Sequence, residues 1–408
     1  MGGGAWRARA ERRSMTTGRA GVLLRRPEQA RTAFLELFFD LVFVLAFFQL
    51  SQELLKHLSW TGAIQTIVLL FAVLHLWFAT TRLLDAFDPR HPLVQLLIMP
   101  IMFGTIVLTA AAPEAFGRRG LIFAVAYLTI RLVGLALAVY FLKGSKAQRS
   151  AIRILFWVGL SAPMWIVGAL LPAPARVPLW MAATVMEYVA LALGFPTPKL
   201  GRHGARRIEV VTSEEHFAER YQQFFIIALG EPILVTGLAF SDSEFGALRS
   251  AATLAAFATT ALLWRIYIHR AGALLADAMV ASRRPLRVGV LTTYAHAIMV
   301  AAVVAIAVGD ELVILHPSGH PEPAKAAVML GGPALFLTGR AIFEYAVFGR
   351  VSLPRVLGAS ALVALVPAMW PVPPLGVAAT ATLVLAGVAV ADGLRTRRLP
   401  SEPPSPPR

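Results

Sequence analysis

Apolar residues run along this chain in blocks of about twenty, separated by short stretches that hold most of the charge. A bilayer core about 30 Å thick takes about 20 residues of helix to cross. On that scale spans fall at 34–55, 61–84, 93–112, 121–142, 151–171 and 177–195, and then at 216–239, 247–268, 288–309, 326–347, 354–371 and 374–391. The last two meet at the Pro-rich boundary Trp370-Pro371-Val372-Pro373-Pro374, which leaves eleven or thirteen spans open. The pattern predicts an all-α polytopic membrane protein with about 12 transmembrane helices.

Composition agrees with the pattern. Of 408 residues 57% are hydrophobic and 15% charged, against about 25% charged in a soluble domain. Mean hydropathy is +0.67. The chain lacks Cys, which excludes disulfides, thiolate metal sites and Cys nucleophiles.

The net charge of +15 is a topology signal, because the bases are sorted by loop. With twelve spans, 28 of the 38 Lys and Arg residues lie on the side of the termini. The opposite loops hold six: Lys56, Arg118, Arg119, Arg176, Arg249 and Lys325. Basic loops stay on the cytoplasmic side, so both termini are expected in the cytoplasm and the protein in the cell membrane. Nucleic acid is not an expected partner, because no basic run alternates with aromatics on a polar domain. Residues 1–33 are basic without an apolar signal-peptide core, and they are expected to be disordered, as is the Pro/Ser tail Pro400–Arg408.

The two halves resemble each other. Span one opens Phe34-Leu35-Glu36-Leu37-Phe38, and span seven opens Phe217-Ala218-Glu219-Arg220-Tyr221. Leu76-Trp77 and Leu263-Trp264 recur in spans two and eight, and Arg131 and Arg340 in spans four and ten. Six helices per unit is even, so the copies would run parallel. The expected organisation is a first six-helix repeat at 34–195, a basic cytoplasmic linker at 196–215, a second repeat at 216–391 and a cytoplasmic tail at 392–408.

An ionisable residue inside a span costs about 2.5–3.5 kcal/mol on the insertion scale and turns to a partner or to water. Span one places Glu36 and Asp40 one helical turn apart. On span seven His216, Glu219, Arg220, Gln223 and Glu231 fall within about 120° of one another on a helical wheel. Pro232 removes a backbone donor, which should kink that helix and free a carbonyl. These residues, with His296 in span nine, are the candidates for a ligand or ion pathway. Other embedded polar groups are His75, Glu187, Arg265 and Glu344. Arg131 and Arg340 are read as structural charges, paired with carboxylates inside the bundle.

Catalytic signatures are absent from the sequence: no Walker-type phosphate loop occurs and no His is followed five residues later by Asp. His316 and His320 lie in one loop with too few companions for a metal site. No cofactor or metal is expected, and the expected surroundings are the lipid bilayer and a small solute or ion. Oligomeric state is not encoded in any feature recognised here.

Glu36-Leu37-Phe38-Phe39-Asp40-Leu41-Val42-Phe43 resembles the opening signature of the bacterial low temperature requirement A (LtrA) proteins. His216-Phe217-Ala218-Glu219-Arg220-Tyr221, continuing through Ile226-Ile227-Ala228-Leu229-Gly230-Glu231, resembles their second signature. Asp85 and Asp88-Pro89, Trp264 and Tyr294-Ala295-His296 add to the likeness, which covers about residues 28–395. The resemblance implies a multi-pass membrane protein. The family's name records a growth phenotype at low temperature and not a biochemical activity. The chain departs at Pro232, where the family pattern implies a small or β-branched residue.

The expected function is a transporter or channel for an unidentified small solute or ion, using polar groups of helices one and seven. The alternatives are a non-transporting protein of envelope or lipid homeostasis and a membrane-embedded enzyme. For an enzyme, His216, Glu219 and His296 would have to share a pocket.

Overall fold

The computed structural model describes residues 34–201, 214–242, 245–319, 322–398 and 403–407. The linker expected at 196–215 and the N-terminal stretch 1–33 lie largely or wholly outside them. Each apolar block becomes helical because, in lipid, backbone amides must be satisfied within the chain. The first half forms α1 (Phe34–Lys56), α2 (Trp60–Ala86), α3 (Pro92–Ala111), α4 (Gly120–Phe141), α5 (Lys146–Leu170) and α6 (Ala173–Ala192). The second forms α7 (Glu214–Ala228), α8 (Gly230–Ser241), α9 (Ala247–Tyr267), the short α10 (Leu275–Ala281), α11 (Pro285–Leu315), α12 (Pro323–Phe348), α13 (Leu353–Leu365) and α14 (Pro374–Arg398).

Helix starts follow capping chemistry. Ser59 accepts a hydrogen bond from the Gly62 amide and Ser145 from the Gln148 amide. Pro opens α3, α11, α12 and α14, where its missing N–H has no helical partner to lose. At the end of α12, Gly349 takes φ +65°, a conformation that costs little only without a Cβ.

Ten helical units among the described residues are long and apolar enough to cross a membrane, α7 and α8 counting as one. α6 and the 13-residue α13 stand where two more spans were expected. Large apolar side chains cover the outside of the bundle, Phe103, Leu254 and Leu383 being 67%, 68% and 72% exposed. Such a surface suits a hydrocarbon solvent and not water.

Several helix packings occur at corresponding places in the two halves. In the first, α1 packs on α3, α3 on α4, α4 on α5, α5 on α6, and α2 on α6. In the second, α8 packs on α11, α11 on α12, α12 on α13, α13 on α14, and α9 on α14. α11 lies deepest and touches α1, α2, α6, α7, α8, α9 and α12. Its close fit to α12 depends on small residues: a Cβ on Gly332 would stand 2.8 Å from Ile306, and one on Gly339 2.7 Å from Met299. Close backbone approach of this kind is a main source of helix association where no hydrophobic effect acts.

The C-terminal tail departs from expectation. α14 continues to Arg398, and residues 403–407 return to the end of α12. There Ser405 donates its amide to the Val347 carbonyl (3.1 Å) and its hydroxyl to that of Phe348 (2.9 Å). Carbonyls left over at the end of a helix supply the binding groups, so this stretch of the tail is ordered.

Candidate functional site

Four-residue steps on three helices bring polar side chains to one seam. α1 contributes Glu36 and Asp40, α7 contributes His216 and Arg220, and α2 contributes Trp77 and Asp85. In the first layer His216 Nε2 lies 3.2 Å from Glu36 and 3.1 Å from Asp85. One turn deeper, Arg220 holds both oxygens of Asp40 at 2.7 and 2.8 Å, and Trp77 Nε1 donates to the same carboxylate at 2.7 Å. The Arg220 guanidinium also lies 5.6 Å from the Trp77 ring centroid, and that ring stacks on Phe224. All six polar side chains are buried. Because residues 36 and 40 meet 216 and 220 in step, α1 and α7 run parallel.

Glu219 and Gln223 are only half-buried and flank this ladder. The helical hydrogen-bond ladder is then interrupted: α7 ends at Ala228, Leu229 forms a turn that keeps φ −65° and ψ −12°, and α8 begins at Gly230. Pro232 is the physical cause, since it has no N–H to offer the Ala228 carbonyl and its ring crowds it. Just past the break, Glu231 is fully buried and neither of its carboxylate oxygens has a hydrogen-bond partner.

His296 lies apart from His216. Its Nδ1 is 2.8 Å from the Thr292 carbonyl and its Nε2 is 2.9 Å from the Tyr267 hydroxyl. The carbonyl can only accept, so Nδ1 carries a proton. Tyr221, whose hydroxyl meets Thr293 at 2.7 Å, packs its ring between Trp77 and His296. The two histidines therefore occupy separate sites on either side of an aromatic wall.

Most of the remaining embedded charges are closely partnered. Arg131 meets Glu187 at 2.6 Å and His75 Nε2 at 3.1 Å. The other Glu187 contacts come from Tyr127, Ser161 and Trp165, so four side chains converge on one carboxylate. Arg340 donates to the carbonyls of Ile266 and His269, at the end of α9. Arg355 bridges Glu344 and Asp392, joining α12, α13 and α14.

Arg176, expected in an exposed loop, is buried inside α6, where it donates to the carbonyls of Gly168, Ala169, Leu171, Ala115 and Gly117. Gly168, Ala169 and Leu171 lie at the end of α5, Ala115 and Gly117 in the turns between α3 and α4, and a guanidinium with five donors can serve them all. Asp310 and Asp392 also escaped the sequence reading, because the spans drawn at 288–309 and 374–391 each stopped one residue short of them. Among the described residues, no group of three or more His, Asp or Glu side chains is arranged to hold a metal ion.

The sequence profile of the bacterial low temperature requirement A protein (LtrA) family matches residues 31–390. The chain belongs to the LtrA family. It is also 36% identical over 319 residues to an uncharacterized protein of Rhizobium meliloti (strain 1021), with 76% of each chain covered. Both family signatures fall on the seam: the first supplies Glu36 and Asp40 on α1, and the second supplies His216, Arg220 and Glu231 on α7 and α8.

Proposed function

We propose that this LtrA protein moves a small solute or ion across the membrane along the seam between α1 and α7–α8. The observation that carries the reading is the interruption at Leu229, with the buried, unpartnered carboxylate of Glu231 beside it. Broken helices inside membranes belong where they line a site, since elsewhere the freed backbone groups go unsatisfied. In this reading the two layers of ion pairs, Glu36–His216–Asp85 and Asp40–Arg220–Trp77, close the path at the end where α1 begins.

The corresponding packings in the two halves and the parallel course of α1 and α7 support twelve helices in two parallel six-helix repeats. The distribution of bases supports cytoplasmic termini in the bacterial cell membrane. Arg131 and Arg340 serve the scaffold, one locked into a carboxylate cluster and the other into helix-end carbonyls.

Proteoliposomes test the reading. Solute- or ion-dependent flux is expected with the wild type and lost in Glu231→Gln while the protein remains folded; unchanged flux in that variant removes Glu231 from the mechanism.

One observation favours the lipid-homeostasis alternative. An apolar groove of about 840 Å³ lies between the α1–α2 corner, α11 and α12, lined by Leu58, Trp60, Leu70, Ile298, Ala305 and Leu335 among others. It has the size and character to take an acyl chain. A protein that carries one lipid class through purification and moves nothing in proteoliposomes would favour this alternative.

A further inference from the structure

Glu231 has acidic neighbours. Asp310 and Glu311 of α11 lie within electrostatic reach of it, and the Ser51 hydroxyl of α1 is close enough to turn a hydrogen bond to it. Glu311 is engaged by Gln52 at 2.6 Å, and the Ser51 hydroxyl turns to the Phe48 carbonyl at 2.9 Å. Asp310 is buried, with its Oδ2 unpartnered. Three oxygens, two from Glu231 and one from Asp310, are thus buried without a hydrogen bond.

Among the described residues no base pairs with them; Lys325 of α12, which packs on α11, is held by Glu322 at 3.3 Å. α8 contains no Lys, Arg or His, and neither does α1 from Leu45 to Leu55 nor α11 from Val303 to Leu315. On α9, which packs against α8, the bases Arg249 and Arg265 occupy the first and last turns. On α7, His216 and Arg220 are engaged by Glu36, Asp85 and Asp40. Everywhere else in the seam a buried acid meets a buried base; here the pairing stops.

An ionised carboxylate removed from water costs several kcal/mol unless a positive charge replaces the lost hydration. Two such groups together cost more, because like charges repel at low dielectric. A small positive ion supplied from outside the chain resolves both problems. A divalent ion would take about six to eight oxygen ligands, more than this pocket of apolar helices presents. A proton needs one or two oxygens, and an alkali ion, carrying a single charge, is less costly to strip of its water than a divalent ion.

We propose that Glu231 and Asp310 form a binding site for a monovalent cation, a proton or an alkali ion, between α8 and α11. Resting on the transport reading, the site gives that path its ion: the cation that is carried, or that is coupled to whatever is carried. The Ala228 carbonyl, left without its helical donor by Pro232, adds a further oxygen in the same region.

The test uses the full chain in nanodiscs. Calorimetric titration with Na⁺ and with K⁺ at fixed pH reads alkali-ion binding, and infrared difference spectra across a pH series read the protonated-carboxyl band. Saturable heat that is lost in both Glu231→Gln and Asp310→Asn establishes an alkali-ion site. A pH-dependent carboxyl band that is diminished in each variant, with no alkali-ion heat, establishes a proton site. Asp310→Glu, which keeps the carboxylate, should retain the signal and guards against variants that fail to fold. A wild-type protein with neither alkali-ion heat nor a titrating carboxyl overturns the site, as does a signal that both neutral variants leave intact. Flux in proteoliposomes separates this proposal from the broader one. Cation binding without flux sinks transport and leaves the site; flux with unchanged ion dependence in Asp310→Asn sinks the site and leaves transport.

Discussion

Asp40 and Arg220 stand 180 positions apart in the chain and meet in a two-pronged ion pair, at 2.7 and 2.8 Å, that is wholly buried. This contact fixes the register of α1 against α7, and through it the joint between the two halves of the bundle. A buried pair is held together less by its own net energy than by the penalty for leaving one partner alone.

That asymmetry yields a first prediction. Arg220→Met leaves Asp40 with Trp77 as its remaining donor and should cost about 3–5 kcal/mol. Asp40→Leu should cost a similar amount, and the double variant much less than the sum. Thermal unfolding of the four proteins in detergent measures the cycle; strictly additive losses would show that the pair does not act as a unit.

The Arg131–Glu187 cluster should behave as scaffold. Glu187→Gln leaves Arg131 buried without its countercharge and should destabilise by about 3–5 kcal/mol. Cation binding at Glu231 and Asp310 should be unaffected in the surviving folded fraction. Loss of that binding together with full thermal stability would contradict the division between structural and functional charges.

Arg176→Lys keeps the charge and loses the forked geometry. An ammonium has three donors where the guanidinium serves five carbonyls. Leaving at least two carbonyls unserved should cost about 2 kcal/mol or more. A melting temperature equal to that of the wild type would mean lipid headgroups or water replace the lost donors.

Gly339→Val tests the α11–α12 contact. The added Cβ falls 2.7 Å from Met299 Cγ and 3.0 Å from the Ala295 carbonyl, and overpacking of this kind costs about 1–3 kcal/mol. Gly331→Val, beside the similarly tight Gly332 in the chain but facing open space, is the control and should melt near the wild type. Equal effects of the two substitutions would remove the packing argument.

The chemistry of the seam was partly legible beforehand. Glu36, Asp40, His216, Arg220 and Glu231 stood out because ionisable groups in apolar blocks are costly wherever they occur. Two further acids did not stand out. Asp85 read as part of a basic turn, since the residues just after it are those of a loop. Asp310 lay one residue beyond the span drawn at 288–309, whereas α11 continues to Leu315 and buries it. Hydropathy finds the middle of a helix well and its ends poorly, and these acids sit near ends.

The sequence by itself determined that this protein lives in a membrane, where its helices run and which residues would be costly there. All three follow from local transfer energies, which each stretch of chain carries wherever it lies. Tertiary structure alone decided which charge meets which: His216 with Glu36 and Asp85, Arg220 with Asp40, Arg176 with five carbonyls, and Glu231 with no base at all. Pairing depends on the distance between helices far apart in the chain, and no local energy encodes a distance of that kind.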